Sequence, residues 1–270
     1  MTARQHIRIE SRSNPALARV RKLLDDPGAY RRVGQVWLEG EQLLQSAVDR
    51  GLPLGEVLIA RSDEHNARFA PLLDAAKRVL VVDDPLWSGL GSLPSPVSIA
   101  ALVDVPVSPA IAPEQRTVVL DRIQDAGNLG SILRSAAGFG VAQVLALKGC
   151  AAIWSPKVMR AGMGSHFSLR LIEGVVEGDL AQLKIALLAT GPRAGHDLFE
   201  VALPDPCAWV FGHEGQGISS TLEPRCALRV RIPQPGGGES LNVASAAAVC
   251  LYESMRQRRT LNSLAGPTQG

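Results

Sequence analysis

The 270-residue chain has no apolar run of the roughly 18 residues that a membrane-spanning helix requires. Its opening, Met-Thr-Ala-Arg-Gln-His-Ile-Arg, lacks the apolar core of a secretory signal, so a cytoplasmic location is expected. Cys150, Cys207, Cys226 and Cys250 are scattered and form no Cys-x-x-Cys pair, which argues against a zinc or dithiol motif and leaves buried, reduced thiols as the expectation. His6, His65, His166 and His196 have no metal-like spacing, and no metal is expected. Strong charge imbalance is also missing: a net charge of +2 does not by itself imply a nucleic-acid partner.

What remains is the composition of a soluble globular protein, 46% hydrophobic and 20% charged, long enough to bury a substantial core without staples. The charge is unevenly spread. Between Met1 and Gly34, Arg4, Arg8, Arg12, Arg19, Arg21, Lys22, Arg31 and Arg32 face only Glu10, Asp25 and Asp26. Such a basic end suits phosphate contacts, and it equally suits an ordinary solvated helix.

Asn14-Pro15 followed by Ala16, Leu17, Val20, Leu23 and Leu24 predicts a capped amphipathic helix ended by Pro27-Gly28. Strands are expected at 35–39, 56–60, 79–82 and 98–103, with helices at 41–50 and 67–77. A proline-rich segment carrying Pro106, Pro109 and Pro113 reads as a linker. The expected domains are therefore 1–104, a linker at 105–116, and 117–270. In the second domain strands are expected at 117–120, 144–147, 167–172, 185–189, 209–211 and 228–232. Helices are expected from Leu129 to about Gly138, from Ser155-Pro156 onward and, Ala-rich, to the C-terminal side of Asn242. Continuous rather than alternating apolar runs argue for a mostly parallel sheet covered on both faces.

Three clusters follow buried strands. The first, Asp121 to Ala136, contains Asn128, which suits a helix cap, and Arg134, an arginine among apolar neighbours that must snorkel or pair with an anion. The second, Val210 to Ile218, has the spacing Gly-x-x-Gly-x-Gly, which fails as a dinucleotide fingerprint, and no Walker lysine is present. In the third, Pro233 stops a strand, and Gly236, Gly237 and Gly238 precede Glu239, Ser240 and Asn242. Each cluster alone reads as a surface turn as readily as a site. Because the ends of parallel strands share one edge, the three are expected to converge there.

Asn128-x-Gly130-x-x-x-Arg134, Gly212-x-Glu214-Gly-x-Gly217 and Ile232-Pro233 with Gly236 and Ser240-Leu241-Asn242-Val243 resemble, in that order, the three motifs of the SpoU (TrmH) RNA 2'-O-ribose methyltransferases of the SPOUT superfamily. The resemblance implies a parallel sheet with a deep trefoil knot in the C-terminal domain, behind a small α/β RNA-binding domain with Leu38-Glu39-Gly40 at its first strand. It implies S-adenosylmethionine as methyl donor, a homodimer, and RNA as substrate, ribosomal first and transfer RNA second. The alternative is a non-catalytic RNA-binding or ribosome-assembly factor retaining the fold. Carried over by motif position, Thr190, Gly212, Gly217, Ile232 and Leu241 match cofactor-binding positions, and Asn128, Arg134, Glu214, Ser240 and Asn242 match the catalytic polar set. Ala126 and Gly127 stand where the family often has proline, His213 where it has Asn or Ser, and Gln234-Pro235 where Met commonly follows proline. His213 has two readings, a general base or a surface side chain.

Overall fold

The structure, a computed structural model, describes residues 6–91, 97–191, 194–237 and 240–264. Its contacts divide the chain into two compact units, residues 1–107 with 152–167, and residues 108–151 with 168–270. The segment 152–167, expected within the second domain, thus groups with the first unit.

The first unit holds strands β1 (His6–Ile9), β2 (Gln35–Glu39), β3 (Leu54–Ala60), β4 (Ala76–Val82) and β5 (Ile99–Asp104) in the order β1-β4-β3-β5-β2. Only β5 runs antiparallel to its neighbours. Its helices are α1 (Pro15–Asp25), α2 (Tyr30–Val33), α3 (Glu41–Asp49), α4 (Ala70–Ala75) and α5 (Asp84–Trp87). Asn14 starts α1 as its spacing predicts: its side chain accepts the Ala16 amide at 2.9 Å, while Pro15 supplies a preset first-turn dihedral. Gly55 is required in β3, because a Cβ there would lie 2.6 Å from the Leu102 carbonyl oxygen of β5. The helix expected at 67–77 is shorter: α4 ends at Ala75 and β4 begins at Ala76, since pairing with β3 claims those residues. Several N-terminal cations are engaged locally, Arg19 by Glu56, Arg32 by Asp26, and Arg21 by the carbonyl of Arg12, so the basic end is not a uniform free stripe. Arg4 lies outside the described residues.

The second unit holds β6 (Thr117–Asp121), β7 (Gln143–Leu147), β8 (Arg170–Val175), β9 (Ala186–Thr190), β10 (His196–Asp197), β11 (Cys207–Gly212) and β12 (Leu228–Arg231), in the order β10-β12-β9-β11-β6-β7-β8. Every pairing is parallel, in keeping with the continuous apolar runs. One face is a cluster of Val119, Leu145, Ile172, Leu187, Val210 and Leu222. Alternation along β11 sends Trp209 to the opposite face, where its indole donates to Ser254 at 2.8 Å on α8 (Val243–Leu264), a helix that also packs on α6 (Ala126–Gly138). Helix α7 (Pro156–Gly162) belongs to the first unit, where it packs on β2. Cys207 and Cys250 are buried and Cys150 and Cys226 partly so, all four free. No described helix is long and apolar enough to cross a membrane.

Candidate active site

The C-terminal ends of β9, β11 and β12 open onto a cavity of about 500 Å³ lined by Thr190, Gly212, Gly217, Ile232, Ser240 and Leu241 among others. Ligands collect at this edge of a parallel sheet because the chain leaves each strand there. Gly212 allows no other residue: a Cβ would lie 2.3 Å from the backbone of Gly217 and Ile218. The loop folds back over it, with the Gly217 amide donating to the His213 carbonyl at 2.8 Å and Gly217 itself at φ 69.

Beside the cavity the three motifs meet through hydrogen bonds. The Asn128 amide nitrogen donates to the Glu214 carboxylate at 3.0 Å, and the Asn128 oxygen accepts from the Asn242 amide at 2.9 Å. The Asn242 oxygen in turn accepts the backbone amides of Ala244 and Ser245 at 2.8 and 3.3 Å, which caps α8. Both amide orientations follow from the ends of this chain. An ionised carboxylate only accepts and a helix N-terminus only donates, so Asn128 and Asn242 must point their nitrogens toward Glu214 and their oxygens toward α8. Burial acts to raise the Glu214 carboxyl. Hydrogen bonds from Asn128 and the backbone amides of Glu214 and Asp125, with His213 nearby, outweigh it and hold the group below its ordinary value.

Asn128 is not the cap of α6, as its sequence context suggested. Asp125 takes that place, its side chain accepting the Asn128 amide at 2.7 Å, so the helix begins three residues earlier and the Asn128 side chain is released for the site. Arg134 lies nearly two turns farther along α6, about 9 Å of rise. Its neighbours Ile132, Leu133 and Ala136 are buried while Arg134 itself is exposed, and among the described residues no hydrogen bond or ion pair holds its guanidinium. The structure therefore joins Asn128, Glu214 and Asn242, places Ser240 on the cavity wall, and leaves Arg134 as an open cation on the same helix as Asn128. Gly238 and Glu239 lie outside the described residues.

His213 has a structural task. Its Nδ1 accepts the backbone amides of Gly215 and Gln216 at 3.0 and 3.2 Å, so that lone pair is committed and the neutral ring carries its proton on Nε2. A general base needs the free lone pair that this tautomer lacks.

Sequence reasoning missed the group that ties the loop down. Asp121, 1% exposed at the end of β6, accepts from Arg122 Nε at 2.9 Å and from the Ser219 amide at 2.6 Å. Arg122 reaches on to the Gln216 side chain at 2.9 Å and the Gly217 carbonyl at 3.3 Å. A charged residue closing the apolar strand Thr117–Leu120 was the available signal, since a buried carboxylate needs a partner.

Residues 115–252 match the model of the SpoU rRNA Methylase family. The chain is 33% identical over 259 residues to an uncharacterized tRNA/rRNA methyltransferase of Synechocystis, covering 93% of this chain and 94% of that protein. It is 29% identical over 266 residues to the 23S rRNA (uridine(2479)-2'-O)-methyltransferase of Streptomyces viridochromogenes, covering 93% and 92%. The crystal structure of the SpoU methyltransferase AviRb from Streptomyces viridochromogenes, in complex with AdoMet, superposes with a TM-score of 0.83 at 27% identity, covering 92% of this chain and 99% of that one. The chain belongs to the SpoU rRNA methylase family.

Proposed function

We propose that the chain is an S-adenosylmethionine-dependent RNA 2'-O-ribose methyltransferase acting on ribosomal RNA, with transfer RNA the second substrate class. The observation that carries this reading is the hydrogen-bonded chain Glu214–Asn128–Asn242, which joins all three motifs beside a cavity at the ends of parallel strands. The non-catalytic alternative is not favoured, because a binding factor has no use for this polar chain and the relative from Streptomyces viridochromogenes is named as a methyltransferase.

The cavity fits the cofactor. Its volume of about 500 Å³ lies within the about 300–1,000 Å³ of small-molecule sites, and the missing Cβ at Gly212 keeps the backbone open at its centre. Thr190, Gly212, Gly217, Ile232 and Leu241 would hold it, largely through backbone groups. When bound, S-adenosylmethionine supplies an electrophilic methyl group on a sulfonium. The residues of the chain then have the task of holding a ribose hydroxyl in line, where positioning supplies much of the acceleration. We assign Asn128, Glu214, Ser240 and Asn242 to shaping that position. Arg134, a donor that keeps its proton, orients the RNA phosphate, to which we assign uptake of the proton that the ribose hydroxyl gives up, and stabilises negative charge as it develops on the ribose oxygen.

Residues 1–104 we read as the RNA substrate-binding domain and 117–270 as a knotted methyltransferase domain, joined by 105–116, with 152–167 packed into the first unit. The exposed Val249 and Tyr252 on the outer face of α8, 41% and 51% exposed, support a homodimer through that helix. We read the location as cytoplasmic, a compartment in which a ribosomal RNA substrate is present.

The test is a map of ribose methylation in total RNA from cells with and without the protein. One 2'-O-methyl site should vanish and be restored by the wild-type gene, while Arg134→Lys, which keeps charge but loses the planar fork, should restore it about tenfold more slowly. Survival of every site would refute the reading.

A further inference from the structure

We infer that Arg122 is a positioning residue for the cofactor cavity, holding the 213–219 loop in the shape that binds S-adenosylmethionine. The inference rests on the proposed cofactor, but its observations are its own.

The end of β6 and the end of β11 are in register, Asp121 opposite Gly212, so Arg122 leaves the sheet beside the root of the loop. Arg122 does so at φ 59, a left-handed conformation that a side-chain-bearing residue adopts at a cost. The turn aims the guanidinium across the loop rather than into solvent. One edge grips the buried Asp121 through Nε at 2.9 Å and a terminal nitrogen at 3.2 Å. The other edge reaches the Gln216 oxygen at 2.9 Å and the Gly217 carbonyl at 3.3 Å. Asp121 also takes the Ser219 amide at 2.6 Å, so the loop is held from both sides of Gly217. Gln216 and Gly217 line the cavity, and the backbone of Gly217 and Ile218 is the part that closes over Gly212. Strain kept at one residue, a buried carboxylate fully used, and both arms ending on cavity-lining residues together describe a device for fixing a wall. A fork is needed for this; a lysine could not grip Asp121 and the loop at once.

Gln216→Ala leaves the Asp121–Arg122 pair intact and separates this role from a general one in folding. Arg122→Gly adopts φ 59 without strain, but its buried Asp121 loses its cation, so its stability should fall and its binding is read well below its own Tm. Its Kd for S-adenosylmethionine, measured by calorimetry, should rise about 10- to 100-fold, the scale of one to two charge-assisted hydrogen bonds. The rise should appear in KM for the cofactor, with kcat at saturation within about threefold. Gln216→Ala, losing one arm, should raise Kd by about three- to tenfold. Arg122→Lys should rescue little of the loss. Wild-type Kd in Arg122→Gly, or a loss seen only in kcat, would overturn the inference. Failure of the wild-type protein itself to bind S-adenosylmethionine would instead refute the cofactor reading.

Discussion

In both sheets strands end at a shared edge, yet the two edges treat their polar groups differently. In the first unit, Arg61 after β3 donates to Asp83 after β4 at 3.2 Å, Ser62 donates to Asp84, and Arg68 pairs with Glu41 at the start of α3. These groups satisfy one another in short closed pairs. In the second unit, the polar groups after β6 and β11 form an open chain whose far end, Glu214, is exposed, with Arg134, which has no hydrogen bond or ion pair among the described residues, on the same helix as Asn128. Strand ends alone therefore do not make a site; what matters is how much hydrogen-bonding capacity the edge leaves for a ligand.

The strongest way to break this comparison is the same lesion in each sheet. Gly212→Ala drives a Cβ to 2.3 Å from backbone that roofs the cavity, and cofactor affinity should fall by more than about a hundredfold. Gly55→Ala drives a Cβ to 2.6 Å from the Leu102 carbonyl oxygen, and should cost about 1–3 kcal/mol of stability while leaving cofactor affinity within about twofold. Equal effects on affinity would mean that the two sheets do not differ as described.

Next in size is the open chain itself. Asn128→Ala removes the group that accepts from Asn242 and donates to Glu214, and turnover should fall about 10²- to 10³-fold, the scale of losing one preorganised donor. Asn242→Ala should do nearly as much, and the double variant little more than either, because the chain acts as a unit. Arg61→Ala at the closed edge is the control, with turnover unchanged. Strict additivity of the two asparagine variants would show that they act separately.

How far this was legible depends on which forces decide each element. The parallel sheet could be read from continuous apolar runs, and the three motifs from their spacing. The start of α6 could not: Asp125-Ala-Gly-Asn128 offers two competent caps, and the contacts of Asn128 with Glu214 and Asn242, distant in sequence, decide between them. Strand β1 was invisible because His-Ile-Arg-Ile is short and charged and is held by pairing with β4. The two-residue β10 has no local signal at all. The reach of Arg122 depends on a left-handed φ that no arginine advertises. Segment 152–167 packs with residues far earlier in the chain, which no local pattern encodes.

Acid should separate the units next. In the first, His166 is buried, its Nε2 donating to the Ile153 carbonyl at 3.0 Å and its Nδ1 without a hydrogen-bond partner among the described residues. Burial pulls its pKa down from 6.5 to about 4, against the smaller opposing effect of that hydrogen bond. The unfolded chain therefore binds a proton that the folded one refuses, and stability falls as pH drops below 6.5, the loss approaching about 3 kcal/mol near pH 4. Glu214 behaves oppositely: with its pKa held below 4.5, it stays ionised and bonded to Asn128 between pH 7.5 and 5. Denaturant titrations at pH 7.5, 6 and 5 should show declining stability, with cofactor affinity of the folded protein unchanged. Stability flat across that range would refute the assignment for His166.

The smallest effects come from two helix caps. Asn14 caps α1 through the Ala16 amide and Asp125 caps α6 through the Asn128 amide, with similar geometry at 2.9 and 2.7 Å. Replacing either with alanine should cost about 1 kcal/mol. In α1 nothing else should follow, because that helix buries Leu17, Val20 and Leu23 and carries none of the proposed site residues. In α6 the cap sets where the helix begins and hence where Asn128 stands relative to Glu214. Asp125→Ala should therefore also slow turnover by about tenfold, and Asp125→Asn or Asp125→Ser, which cap equally well, should restore it. Turnover that tracks stability identically in the two variants would mean that the start of α6 carries structure alone.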